Sequence, residues 1–209
     1  MLPPGPVSRE FGFERGRPVD RWYIERFLAA HAVDVRGHVL EVAEDSYTQM
    51  YGGGDVSASD VLYAAAGNPD ATIVGDLTTG EGIPQGAFDC FICTQTLQFI
   101  APAAQAVDGI RNLLAPDGVV LATVPGISQI SRVDDAAWGD FWRFTARGAR
   151  HLFDPVFGTA NVDVAAHGNV QAAAAVLYGL AAEDLTDADL AREDPDFPLL
   201  ITIRATRRD

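Results

Sequence analysis

Apolar positions along this chain fall into two patterns that alternate. Dense short runs form the first: Val39, Leu40 and Val42 in HVLEV, then FDCFICTQTL after Asp89, then GVVLATVPG. Runs of this kind predict strands covered on both faces, as in a parallel sheet. Val56–Leu62, ATIVGDL, ANVDVAAHG and PLLITIRAT read as further strands. Between them the spacing becomes helical. RWYIERFLAAHA carries Trp22, Tyr23, Phe27 and Leu28 along one face, with Asp20 read as its N-cap. Ala103–Leu114 places Val107, Ile110, Leu113 and Leu114 on one side, and further helices are expected around Ala146–Phe153 and in NVQAAAAVLYGLAAE, followed by a capped turn at Thr186. The alternation predicts an α/β architecture of about seven strands, mostly parallel, with helices on both faces. The closing helix–strand–helix–strand order predicts an antiparallel edge hairpin.

The Pro-, Gly- and Arg-rich residues 1–18 read as an arm without regular structure, ahead of one domain over 19–209. Chain length shortens the first crossovers. About a dozen residues separate Ala43 from Val56, too few for a loop, a full helix and another turn. The next crossover, Tyr63–Pro69, is equally brief. Gly52, Gly53 and Gly54 fit either a glycine loop displaced from the strand end or a tight turn into the next strand.

Composition narrows the partners. A formal charge of −14, from 29 acidic and 15 basic residues, disfavours a nucleic-acid backbone and suits a cationic or zwitterionic small molecule. The first residues lack the pattern of a signal peptide, and no apolar run approaches a membrane span, so a cytoplasmic protein is expected. A homo-oligomer is compatible with the sequence. Cys90 and Cys93 have CxxC spacing, but on a strand positions three apart face opposite sides, so two packed core thiols and no metal are expected.

Polar residues at strand ends are the candidate chemistry. Glu41 interrupts the first run at its carboxyl end, where it either orders a ligand or caps nearby backbone N–H groups. Asp76 ends the third strand. Gln95, Thr96 and Gln98 follow the fourth, as acceptor-positioning amides or as a capped helix start. Ser128, Gln129, Arg132, Trp138, Asp140, Trp142 and Arg143 crowd the segment after the fifth, where aromatic faces beside charges suit a sugar or an anionic acceptor. Trp138 and Trp142, four apart, are placed to stack on one helical turn. Trp142, Arg143 and Phe144 read as a structural anchor, Arg132 and Asp140 as functional. His167 ends the sixth strand and is a candidate base.

These pieces, in this order, resemble the class I S-adenosylmethionine-dependent methyltransferases. VLEVAEDSY stands where that family has a strand, an acidic residue and a glycine loop; GDL, FDCFICTQTLQFI and NLLAPDGVVLATVP resemble its later motifs, and WGDFWRFTARGARHLF a segment after strand five. The resemblance implies a single-domain Rossmann-like fold and S-adenosylmethionine as cofactor. It implies cofactor contacts from Glu41, Ala43, Asp60, Asp76, Thr94 and Gln95, with Asp60 holding the ribose hydroxyls unless it caps the turn after it. Gln98, Ser128, Gln129, Arg132 and Trp138 would hold a small-molecule acceptor, with His167 or Asp140 as base. RGRPVDRWYIERF resembles segments of methyltransferase-domain proteins linked to surface-glycan synthesis, which implies a saccharide or its lipid carrier as acceptor. The sequence departs from the family at the glycine loop, where Ala43, Asp45 and Tyr47 occupy the glycine positions. A non-catalytic relative that has lost the cofactor and serves as a binding or scaffold partner is the alternative. A cofactor-binding enzyme of different chemistry is a third reading.

Overall fold

A computed structural model describes residues 4–208. Its strands are β1 (Gly37–Val42), β2 (Val56–Tyr63), β3 (Ile73–Val74), β4 (Phe88–Thr94), β5 (Leu114–Pro125), β6 (Val162–His167) and β7 (Leu200–Thr206). The helices are α1 (Val19–Ala30), α2 (Ser46–Tyr51), α3 (Ala103–Leu113), α4 (Arg132–Ala137), α5 (Ala146–Phe157), α6 (Val170–Tyr178) and α7 (Asp187–Ala191). One seven-stranded sheet runs β3-β2-β1-β4-β5-β7-β6. Strands β1 to β5 pair in parallel, and β7 is antiparallel to both β5 and β6. The expected antiparallel pair is present, with β7 one place in from the edge and β6 outermost.

Period-two alternation splits the core into two layers. Leu40, Phe91, Cys93 and Val120 face α3 and α5, where Ile110 and Phe153 meet them. Val39, Cys90, Ile92 and Leu121 face α1 and α6, where Ile24, Leu28 and Val176 pack. The two cysteines thus lie on opposite faces, both buried and free. Burial pushes both thiols up, Cys93 to about 12, so neither is a ready thiolate.

The first crossover is reduced to the six residues of α2, and no helix forms among the described residues between β2 and β3. Only two residues of ATIVGDL pair as β3, against Leu62 and Tyr63. The chain then turns tightly, because a Cβ on Gly75 would meet the Glu81 carbonyl at 2.7 Å. Gly52, Gly53 and Gly54 end α2 and lead into β2, at the amino ends of the parallel strands. They are the strand-entry turn. Helix α1 begins two residues earlier than expected: Pro18 is its N-cap and Asp20 lies inside the first turn. Among its described residues the arm has no helix or strand, but it is docked. Val7 and Ser8 N–H groups donate to Tyr178 O, Ala182 N–H donates to Arg17 O, and Arg15 pairs with Asp184.

Ala43, directly after β1, has a φ of 72°. An L-residue there carries a local cost that glycine escapes. Ala43→Gly is expected to raise stability by about 1 kcal/mol, read from the urea midpoint.

Candidate active site

The carboxyl ends of β1, β4 and β5 open onto a cavity of about 640 Å3. This is the end of an open α/β sheet at which ligands bind, and the volume lies within the usual range for small-molecule sites. Three of the four described non-glycine residues with positive φ line it: Phe11, Ala43 and Gln95. Strain of this kind persists where surrounding structure holds it in place, often at a binding site.

Glu41 forms the base of the β1 wall and is only 2% exposed. Its Oε1 accepts from Tyr47 N–H at 3.2 Å, and its Oε2 from the Thr48 N–H and hydroxyl, each at 2.7 Å. The carboxylate therefore caps the first turn of α2. Burial pushes Glu41 up to about 7, against the pull of those three donors. Ala43, next to it, is held by its N–H to Leu62 O at 3.0 Å and by Asn68 Nδ2 on its own carbonyl.

Thr94 and Gln95 line the cavity at the end of β4, and Gln98 stands behind them, 4% exposed. Gln98 Nε2 donates to Gln95 O and Oε1, whereas Gln98 Oε1 has no partner among the described residues. A buried amide oxygen left alone costs free energy that a ligand donor would recover. Asp76 lines the opposite wall, its Oδ1 accepting from the Thr78 N–H and hydroxyl, which hold its carboxyl below the usual range.

Ser128, Gln129, Trp138 and Asp140 line the acceptor side. Asp140 is clamped: Arg143 donates to both oxygens, at 2.6 and 3.0 Å, and Ser131 N–H donates to Oδ2. Burial raises Asp140, but Arg143 and Ser131 outweigh it and leave the carboxyl below its ordinary value. Trp138 does not stack on Trp142. It meets Tyr63 edge-on at 5.8 Å, while Trp142 Nε1 donates to Ile100 O. Arg143, read from sequence as an anchor, both lines the cavity and locks this segment to the Ser128 and Gln129 carbonyls.

Three expected residues lie elsewhere. Asp60 sits inside β2, opposite Leu40, because the strand runs on to Tyr63; its oxygens accept from Thr72 Oγ1 at 2.6 Å and contact His38 Nε2 at 2.7 Å. The β2 end presents Tyr63 and Ala64 to the cavity instead. His167 opens onto a second cavity, between α1 and the β6–β7 edge, held between Glu193 at 3.2 Å and Thr202 at 3.0 Å. It is two strands from β5 and cannot serve as base here. Arg132 points to Glu10 of the arm, with which it forms an ion pair.

Sequence reasoning missed Phe11 and Phe13 of the arm and Asp20 and Arg21 of α1, all cavity-lining. Two phenylalanines in a stretch otherwise rich in Pro, Gly and charge were the available signal for the arm. Arg21 donates from NH1 to Tyr47 Oη at 2.6 Å, and its guanidinium lies 5.9 Å from the Phe13 ring centre and 5.6 Å from that of Tyr47.

The profile of the methyltransferase-domain family matches residues 11–122, more than half of the sequence. The chain belongs to this family. Solved structures agree on the fold of this methyltransferase. An S-adenosylmethionine-dependent methyltransferase from Mesorhizobium loti superposes with a TM-score of 0.58 at 15% identity, over 90% of this chain and 98% of the other. One from Archaeoglobus fulgidus gives 0.57 at 9% identity, over 90% and 94%. The [4+2]-cyclase SpnF gives 0.55 at 13% identity, over 98% and 88%. Curated protein sequences yield no significant match.

The lining residues of the methyltransferase suit S-adenosylmethionine, the cofactor of its family. Asp20, Glu44, Asp76, Asp134 and Asp140 face the cavity against two guanidiniums, Arg21 and Arg143. That balance favours a sulfonium cation, and the lone Gln98 oxygen offers an acceptor to an amino or hydroxyl group. Among the described residues no helix is long and apolar enough to cross a membrane.

Proposed function

We propose that this methyltransferase methylates a hydroxyl of a small ring-bearing acceptor, a saccharide or natural-product intermediate, in the cavity at the β1, β4 and β5 ends. The acidic lining of that cavity carries the reading. Asp76 accepts from the adenine side, the Ala43 loop and Thr94–Gln95 form the floor along the cofactor, and Gln98 Oε1 accepts one of its donors. Bound S-adenosylmethionine supplies a methyl group on a positively charged sulfur, open to in-line attack.

The chain's own residues then position and exclude water, which is the larger part of such a reaction. Phe13, Trp138 and Phe141 border the cavity while still partly exposed, and present flat faces to an acceptor ring. Ser128 and Gln129 stand beside them as hydroxyl and amide partners. Asp140 keeps the segment in shape instead of taking a proton, since both its oxygens are engaged. The cavity thus has an acidic floor for a cation and an aromatic rim for a ring.

The test is calorimetric titration with S-adenosylmethionine and S-adenosylhomocysteine. Micromolar binding is expected, weakened about tenfold in Asp76→Ala, whose carboxylate is exposed and whose removal leaves the fold intact. A second reading is a family member that no longer binds the cofactor. It is favoured by one observation: no carboxylate stands at the β2 end, where Tyr63 and Ala64 face the cavity. Absence of binding at millimolar ligand selects it.

A further inference from the structure

A ligand's anionic group at the end of β1 would ordinarily find N–H donors at the following helix. Here two of those donors are occupied, because the Tyr47 and Thr48 N–H groups both donate to Glu41. The side-chain cations left to meet an anionic group in the cavity are Arg21 and Arg143, which both line it. Arg143 is fully engaged by Asp140 and by the carbonyls of Ser128, Gln129 and Trp142. The Arg21 guanidinium makes one hydrogen bond among the described residues, to the Tyr47 hydroxyl. Its flanking Phe13 and Tyr47 rings keep the guanidinium in place and partly dry. Beside it, Asp20 lines the same cavity, and its Oδ1 accepts from Arg21 N–H at 3.0 Å. Burial raises the Asp20 carboxyl, although the charge and backbone N–H of Arg21 pull the other way.

We infer that Asp20 and Arg21 form a clamp for the zwitterionic amino-acid end of the cofactor, the guanidinium taking the carboxylate and Asp20 the ammonium. The inference rests on the cofactor reading of the cavity given above. It also explains the loop. Tyr47 stands where a glycine would let the ligand approach the backbone, and the side chain that closes that approach is the one holding Arg21. A backbone cradle has been exchanged for charged side chains, whose paired hydrogen bonds strengthen as water is excluded.

The experiment compares S-adenosylhomocysteine with 5′-methylthioadenosine, the same thioether nucleoside lacking the amino-acid end, by calorimetry on the full chain. The wild type is expected to bind S-adenosylhomocysteine about 100-fold more tightly than methylthioadenosine. In Arg21→Ala and Asp20→Asn that preference should fall at least tenfold, with methylthioadenosine affinity unchanged. Arg21→Lys should restore part of it, and thermal melts check that each variant folds. Equal affinity of the wild type for the two ligands, or equal weakening of both in the variants, overturns the clamp while leaving the cofactor reading standing. Binding of neither ligand to the wild type overturns both. Tyr47→Phe, which keeps the ring and removes the hydroxyl, should reduce the preference without touching methylthioadenosine; an unchanged preference counts against Tyr47 as the holder of Arg21.

Discussion

Glu41→Ala is expected to destabilise the chain by about 3 kcal/mol near pH 5.5, because it leaves the Tyr47 and Thr48 N–H groups buried without an acceptor. The loss should be read from urea unfolding, with α2 and the Ala43 loop fraying first and S-adenosylhomocysteine affinity falling with them. The penalty depends on pH in a direction that Glu41 itself determines. The folded carboxyl titrates at about 7, and its ordinary value is 4.5. The native state therefore holds a proton that the unfolded chain has released between those values. The stabilisation from Glu41 is fully present below about pH 4.5 and is lost as pH rises through about 7, a change of about 3 kcal/mol. The gap between wild type and Glu41→Ala should accordingly narrow from pH 5.5 to pH 8. A gap that widens over that interval would show that the three donors outweigh burial and that Glu41 is an ordinary ionised carboxylate in the fold.

The second large effect comes from a residue with no side chain. Gly109 lies inside α3, where alanine would normally gain about 1 kcal/mol of helix propensity. A Cβ there would stand 1.8 Å from the Leu77 carbonyl oxygen, a backbone atom that cannot rotate away. Overpacking of this severity costs about 3 kcal/mol or more, so Gly109→Ala is expected to lose about 2 kcal/mol net. Because Leu77 follows Asp76, and both line the cavity, the displaced wall should also weaken S-adenosylhomocysteine binding. Gly148→Ala is the control: in the first turn of α5 its Cβ would approach nothing nearer than 3.4 Å, so the substitution should be neutral or mildly stabilising. Equal behaviour of the two variants in urea would sink the steric argument.

Much of the fold was legible because it depends on local pattern. Dense apolar runs such as Val39–Val42 and Phe88–Thr94 could be satisfied only by burial on both faces, and period two then placed Cys90 and Cys93 in different layers. Residue counts alone shortened the first crossovers, since a chain of given length cannot hold a helix and two turns in the space. Glu41 was legible as a strand-end carboxylate for the same reason: a charge in an apolar run marks where the strand stops being wholly covered.

What the pattern could not carry is where those elements lie relative to one another. The resemblance implies Asp60 at the ribose, yet the end of β2 is set by its pairing with β1 and β3, which carries the strand on to Tyr63. His167 does end a strand. The insertion of β7 between β5 and β6 removes that strand end from the cavity, and strand order is decided by which faces and edges can be covered together, not by any residue in β6. The arm shows the same limit most plainly. Without periodicity it reads as unstructured, and its hydrogen bonds and ion pairs to Tyr178, the Ala181–Asp184 turn and the Gln129–Arg132 segment bring Phe11 and Phe13 over the site. Sequence by itself determined which residues must be buried and how far each element can reach, because those follow from hydrophobicity and chain geometry. Tertiary structure alone decided that Asp20 and Arg21, read as the start of a helix, stand in the cavity, because contacts between distant segments are fixed only when the sheet and its covering layers close.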